Sequence, residues 1–573
     1  MKFLWKIGGE AGFGIMTTGL SFAKIATQSG YHIFDYAEYP SLIRGGHNTY
    51  DVLVSDEEVW TSQIAIDMLV CLNKDTYTLH KSRLKESSIV VYDPEMFEIT
   101  DNVQKISVPL KSMIKEAKAF QIMVNTITLG ASAGLLGADE EVLYGMIETQ
   151  FAKKGEKVVE YNRDFAKKGY DYILEHYQAM VTPILKKRSQ IETKLVMTGN
   201  EAFSYGAIVA QCRFFSGYPM TPTSNVLTQL AGWQEKSGMV VRHSEDEIAV
   251  INTALGASFA GARSAVATSG GGFALMVEAI SYAGVAEIPI VIFLGQRPGP
   301  ATGMPTWTEQ GDLLFACHAG HGEFPKIVLA PGDVNEMIEM TAEAFDLADI
   351  YQTPVIVISD KFVCESHKSV PKMNVDLFSK SYQPNRGKLI HEVPPEKYLR
   401  YKISDDGISP RLIPGIKGSF YQANSYDHIE DSHTTEDGEL RKLQVEKRGR
   451  KWDTYLKTHY KLPTIYGDIT TATHVFIAYG PNKGSIKEAQ KLLKEKGIET
   501  AFIHFTHVYP LDRQKVRDIF AMTKDKKCIL VENNSQGQFG KLLAMEAGIE
   551  IEEKILKYDG RPIYPEEIVA SIK

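Results

Sequence analysis

A multidomain α/β protein built on parallel sheets is the fold class that this sequence predicts, and three observations predict it. Short β-branched runs alternate with amphipathic stretches of about 10–15 residues, the spacing of βαβ units. Apolar residues make up 44% and charged residues 23% of the 573 residues, ordinary values for a chain that can bury a core. That length accommodates roughly three to four domains of about 150 residues each, and no self-similar period suggests a repeat array.

The first block covers residues 1–185. A strand at 3–7 leads through a glycine turn into a helix whose apolar face includes Leu20, Ala23 and Ile25. The basic run LKKRSQ at 185–190 then reads as a linker. The second block, 195–370, has strand candidates at 194–197, 240–243, 264–268, 288–294 and 354–358, with helical stretches between them. From 371 to 465 the chain is charged and poor in pattern, as in DSHTTEDGELRKLQVEKRGRKW. That segment is too long for an ordinary loop and reads as an excursion over a neighbouring surface. The last block, 467–573, returns to strand–helix–strand through THVFIAYG, a helix through 488–496, TAFIHF and KCILVENN.

Composition removes several function classes. A formal charge of −8 offers no basic face for the phosphates of a nucleic acid. The longest apolar run, IPIVIFLG, falls far short of the ~20 residues that span a bilayer, and the N-terminus has no secretory h-region. Five scattered cysteines with no CxxC argue against a disulfide framework, a zinc site or a ferredoxin-type cluster, and no metal ligand set is predicted. Cys317 and His318 read as a core helix rather than as Cys/His chemistry. The chain reads as soluble and cytoplasmic.

In open parallel sheets, ligands sit beyond the carboxyl ends of the strands. Four strand ends of the second block carry unusual residues. In SGYPMTPTS, two prolines keep the backbone extended, Thr223 or Ser224 can cap the next helix, and Thr221 is left between the prolines. In VVRHSEDEIAVINTALGASFAGA, Ser244 and Glu247 have the spacing of a capping box, which by itself accounts for Glu247. The small residues that follow admit a ligand or a backbone, and a desolvated carboxylate there is equally available for proton work. In AVATSGGGFALM, three glycines between strand and helix call for positive φ or close approach. In IPIVIFLGQRPGPATGMPTWTEQGD, Arg297 stands at a strand end, either to clasp a carboxylate bidentately or to pair with Glu309 or Asp312.

YPMTP, SEDEIAVINTALGASFAGAR, ATSGGGFALM, QRPGPATGMPT, TEQGDL and GHGEFP together resemble the α subunit of 2-oxoacid:ferredoxin oxidoreductases, in the form that carries a γ domain fused at its N-terminus. The first block resembles that γ domain through GGEAGFG and SLIRGGHNTYDV. The last resembles the family's transketolase C-terminal-like domain through YGPNKGSIKEA and VENNSQGQFGKLL. The resemblance implies a pyrimidine-binding domain of the thiamine-diphosphate type, flanked by those two α/β domains. It also implies oxidative decarboxylation of a 2-oxoacid to an acyl-CoA, with electrons passed to ferredoxin. In the family a glutamate contacts N1′ of the aminopyrimidine and drives the ring towards its imino tautomer, and Glu247 falls on it. Thr221 matches the residue that hydrogen-bonds the substrate, Arg297 the one that anchors its carboxylate, and Tyr218 and Pro219 of YPMTP lie on the cofactor side. Arg44 and His47 fall where coenzyme A enters, although structural turns explain them equally well.

The family's GDG…N motif for diphosphate and Mg²⁺ is missing, as is any cysteine set for a [4Fe–4S] cluster. The resemblance therefore implies a separate β subunit that supplies both, in an αβ or (αβ)₂ assembly with thiamine diphosphate shared between chains. GGEAGFG lacks the G-x-G-x-x-G spacing, so a dinucleotide reading is weak. Among substrates the overall pattern favours 2-oxoglutarate, with pyruvate, branched-chain 2-oxoacids and indolepyruvate open. A transketolase-like subunit without ferredoxin and a non-catalytic scaffold are the competing readings.

Overall fold

A computed structural model describes residues 1–41 and 45–572. The chain forms two compact units, one of Met1–Met197 with Glu365–Val375 and Tyr564–Glu567, the other of Thr198–Cys364, Asp376–Ile563 and the remaining C-terminal residues. No helix among the described residues is long and apolar enough to cross a membrane.

The first unit is built on an eight-stranded sheet. Its order is Gln104–Ser107, Leu84–Tyr92, Ile66–Cys71, Lys2–Glu10, His47–Ser55, His32–Glu38, His367–Pro371 and Lys194–Thr198. Lys2–Glu10 pairs in parallel with Ile66–Cys71 and antiparallel with His47–Ser55. The predicted first strand is thus present and longer at both ends. The predicted helix runs over Ile15–Gln28, with Ala23 and Ile25 buried, and Trp5 stacks on its Phe22 at 4.2 Å. Helices Met123–Leu135 and Glu156–His176 cross closely because glycines face each other's backbone. A Cβ on Gly130 would meet Ala166 O at 1.9 Å, and one on Gly169 would meet Ile127 O at the same distance. One expectation is corrected here: the strand at 194–197 forms, but it joins this sheet rather than the second block, docking beside His367–Pro371. A short half-buried strand carries no mark of which sheet it will extend.

Besides a short two-stranded pair, Leu389–Ile390 with Arg411–Leu412, the second unit has two larger sheets on one continuous apolar core, which runs from Val250 and Phe273 through Ile356 to Ile477 and Phe539. The larger sheet has the order His507–Tyr509, Ile327–Leu329, Pro354–Asp360, Ile290–Gln296, Ser264–Thr268, Phe214–Gly217 and Val240–His243. Every pair in it is parallel except the outermost, where His507–Tyr509 leaves the last block and runs antiparallel to Ile327–Leu329. The five-stranded sheet has the order Thr464–Tyr466, Thr500–Phe505, His474–Tyr479, Lys527–Glu532 and Glu553–Leu556.

The excursion is more ordered than its sequence suggests. It contains helix Lys372–Ser381 and a 21-residue helix, Gly438–Thr458, capped by Asp437, whose side chain accepts from Glu439 N and Leu440 N. The inward face of the longer helix carries cations in place of apolar residues. Lys447 and Lys451 are fully buried and reach Glu287 at 2.5 and 2.6 Å. Burial alone would raise the Glu287 carboxyl, but Lys447, Lys451 and Arg400 hold it well below the ordinary carboxylate range.

Candidate functional site

Strands Phe214–Gly217, Val240–His243, Ser264–Thr268 and Ile290–Gln296 end side by side, and the segments the sequence marked out follow their carboxyl ends. Helix Glu247–Phe259 begins at Glu247, and Asp246 caps it by accepting from Ala249 N at 2.7 Å. The capping-box expectation is therefore corrected. Ser244 instead shares a buried hydrogen bond with Ser216 (2.9 Å), because the neighbouring carboxylate is the stronger acceptor at a helix N-terminus. Glu247 is thereby released from capping.

Glu247 is 3% exposed, and its Oε1 has no hydrogen-bond partner among the described residues. Burial pushes the carboxyl above its ordinary value, and the charge of Asp246 adds to the effect. The group rests on the glycine turn. A Cβ on Gly272 would lie 2.4 Å from Glu247 Oε1 and 2.1 Å from Thr268 Oγ1. Gly270 and Gly272 are there for close approach and not for positive φ, since Gly270–Gly272 form the first turn of helix Gly270–Val285 in ordinary helical conformation.

The same turn leads to Arg297. A Cβ on Gly270 would meet both carboxylate oxygens of Asp312, at 2.6 and 2.8 Å. Asp312 N donates to Gln296 Oε1 at 3.0 Å, and the buried Gln296 precedes Arg297. Burial pushes Asp312 up to about 6 and lowers Arg297, while each charge partly offsets the other's shift. Arg297 makes no ion pair among the described residues, so the predicted pairing with Glu309 or Asp312 does not form. Its Nη1 donates to Thr221 O at 2.8 Å, which ties the arginine to the YPMTP turn. The Thr221 hydroxyl makes no hydrogen bond among the described residues, and Tyr218 and Pro219 are exposed beside it. Thr223 stands at the cap position of the next helix but accepts no capping bond, and its hydroxyl donates to Met220 O instead.

The last block braces the far side of this loop. Gln310 Oε1 accepts from Asn482 Nδ2 and Asn533 N, Gln310 O accepts from Asn534 Nδ2, and Gln538 Nε2 donates to Gly311 O. The structure thus groups Glu247, Thr221 and Arg297, with Tyr218 and Pro219 adjoining. Thr268 also belongs to the group, although a threonine ending a strand carries no signal without a spatial neighbour, and Asp312 joins it by lying against Gly270 rather than by pairing with Arg297.

His47 lies in the first unit, where it joins the two γ-like motifs: its ring is 3.1 Å from a Cβ built on Gly8 of GGEAGFG. Its Nε2 is 2.8 Å from His80 Nε2, and burial keeps it below the ordinary histidine value. Arg44 lies outside the described residues.

Two family models match the chain. "Pyruvate flavodoxin/ferredoxin oxidoreductase, thiamine diP-bdg" covers residues 205–447, and "Pyruvate ferredoxin/flavodoxin oxidoreductase" covers residues 4–172. The chain is 31% identical over 632 residues to 2-oxoacid:ferredoxin oxidoreductase 2, subunit alpha, of Aeropyrum pernix, spanning 99% of this chain and 96% of that one. It is 33% identical over 383 residues to the 2-oxoglutarate synthase subunit KorA of Archaeoglobus fulgidus, spanning 67% and 99%. Among solved structures, the 2-oxoglutarate:ferredoxin oxidoreductase of Magnetococcus marinus, with 2-oxoglutarate, coenzyme A and succinyl-CoA bound, superposes with a TM-score of 0.92 at 30% identity, covering 99% and 98%.

Proposed function

Because the chain belongs to the 2-oxoacid:ferredoxin oxidoreductase α-subunit family, we propose that its second unit forms the aminopyrimidine half of a thiamine diphosphate site that decarboxylates 2-oxoglutarate. One observation carries the proposal: a desolvated carboxyl, Glu247, with one oxygen unserved, lies in a cradle that any Cβ at Gly272 would fill. Those features fit a flat ring with a basic nitrogen.

The bound coenzyme supplies the carbanion chemistry of decarboxylation. The chain's own residues do the rest. Glu247 holds and passes a proton at its buried carboxyl group, and its raised affinity for that proton suits it to the exchange. Arg297 draws the substrate carboxylate, the Thr221 hydroxyl hydrogen-bonds the 2-oxoacid, and Tyr218 and Pro219 face the coenzyme. Gln296 and the Gln310 brace fix the loop that carries Arg297.

A separate β subunit supplies the diphosphate and Mg²⁺ site and a [4Fe–4S] cluster, in an αβ or (αβ)₂ assembly that reduces ferredoxin. Coenzyme A takes the acyl group, with His47 as a contact in the first unit. The KorA relatives and the ligands named for the M. marinus enzyme support 2-oxoglutarate over pyruvate and branched-chain or aryl 2-oxoacids.

The test is Glu247→Gln in the reconstituted complex, assayed with a panel of 2-oxoacids, coenzyme A and ferredoxin. Loss of turnover at unchanged melting temperature is expected; retained turnover overturns the assignment. A preference for another 2-oxoacid overturns the substrate alone.

A further inference from the structure

Thr268 ends strand Ser264–Thr268 directly beneath the glycine turn and is fully buried. Its hydroxyl has only weak partners, Ser269 O at 3.4 Å and the Met220 thioether Sδ at 3.9 Å. Both are poor uses of a buried donor. The hydroxyl oxygen and Glu247 Oε1 crowd the same face of Gly272, each within 2.4 Å of the point a Cβ there would occupy. An underused donor and an unserved acceptor therefore lie at most 4.5 Å apart, a gap that rotation of the Glu247 carboxyl, the free end of a flexible chain, can close.

We propose that Thr268 is a positioning residue for Glu247, donating its hydroxyl to Oε1 so that the other carboxyl oxygen is held in place for proton exchange. The inference rests on the reading of Glu247 given above. A donor to Oε1 favours the ionised carboxyl and so eases release of its proton. It also fixes which oxygen reacts. The ionisable groups around the carboxyl are Asp246 on its own helix, Asp312 against Gly270, and Arg297 beyond Asp312. All three persist in the variants below.

In the reconstituted complex, Thr268→Val removes the donor at nearly constant volume. We expect kcat to fall about tenfold, the worth of one modest hydrogen bond. The KM for the 2-oxoacid should stay unchanged, and the acid limb of the pH–kcat profile should move to higher pH. The circular dichroism of the bound coenzyme, recorded without 2-oxoacid, should change as well. Thr268→Ser should restore both the limb and the spectrum. If the valine variant does not assemble, Thr268→Ala against Thr268→Ser makes the same comparison. A wild-type pH profile and spectrum in the donor-less variant overturns the role of Thr268, provided Glu247→Gln is inactive. An active Glu247→Gln would instead remove the premise.

Discussion

Gly272→Ala tests the cradle with a single methyl group. A Cβ at Gly272 would stand 2.1 Å from Thr268 Oγ1, 2.4 Å from Glu247 Oε1 and 2.6 Å from Glu247 Cγ, where ordinary contact is 3.4–4 Å. The Thr268 hydroxyl must rotate aside, and the Glu247 carboxyl must retreat by about 1 Å to restore ordinary contact. A displacement of that size in a proton-exchanging group costs roughly 100-fold in turnover. Stability should fall by about 2 kcal/mol at most. Alanine is favoured over glycine in a helix by about 1 kcal/mol, which offsets part of an overpacking cost of about 1–3 kcal/mol. Gly271→Ala supplies the control, because a Cβ there meets nothing within 4 Å and reports the helix effect alone. Both variants should be assembled with the β subunit, then compared in ferredoxin reduction and thermal melting. Turnover of the Gly272 variant within about threefold of the control would refute the claim that Glu247 must rest on a bare backbone.

Three further outcomes are expected. Arg297→Met should raise the KM for the 2-oxoacid by roughly 10- to 100-fold and lower kcat less, the signature of a lost carboxylate clasp in steady-state kinetics. Glu287→Gln should strip the counter-charge from Lys447, Lys451 and Arg400 and cost about 3–5 kcal/mol, read as a lowered urea midpoint; an unchanged midpoint contradicts the buried ion cluster. Burial pushes Asp312 up to about 6 from its ordinary 3.8, so between these values the folded chain keeps a proton that the unfolded chain releases. That contribution to stability is full below about pH 4 and is lost as the pH rises to about 6, on the order of 3 kcal/mol at most. Asp312→Asn should flatten this slope in denaturant titrations across that range, and a slope equal to that of the parent chain would count against it.

The sequence made the parallel sheet of the second unit legible because its strands are buried on both faces and read as short β-branched runs, such as VIVISD and IVIFLG. It also drew out Thr221 and Arg297, each next to a proline that interrupts regular pattern at a strand end, and Glu247, which follows the polar run SED where a helix begins. It misplaced what depends on spatial neighbours. SEDE offers two side chains able to cap one helix, and only the folded backbone shows that Asp246 takes the role. Helix Gly438–Thr458 went unseen because its inward positions are Gln444, Lys447, Arg448 and Lys451, and periodicity methods look for apolar residues there. His507–Tyr509 reads as part of the last block, yet its backbone pairs with Ile327–Leu329 in the other sheet. Thr268 has no sequence signal of its own; its place beside Glu247 emerges only when the glycine between them is seen.

The N-terminal unit is finished by late-made residues. Strand His367–Pro371 closes on His32–Glu38, with His367 N donating to Asp35 Oδ1 and Ile33 N to Ser369 Oγ, and Ile64 N donates to Glu566 Oε1 near the other terminus. A nascent chain leaving the ribosome therefore cannot complete this unit until residues as late as Glu566 have emerged. Until then the edge of strand His32–Glu38 stays open to adventitious pairing. Expression of residues 1–197 alone should accordingly give an aggregation-prone fragment, and slow translation should leave the growing chain dependent on chaperones that shield that edge.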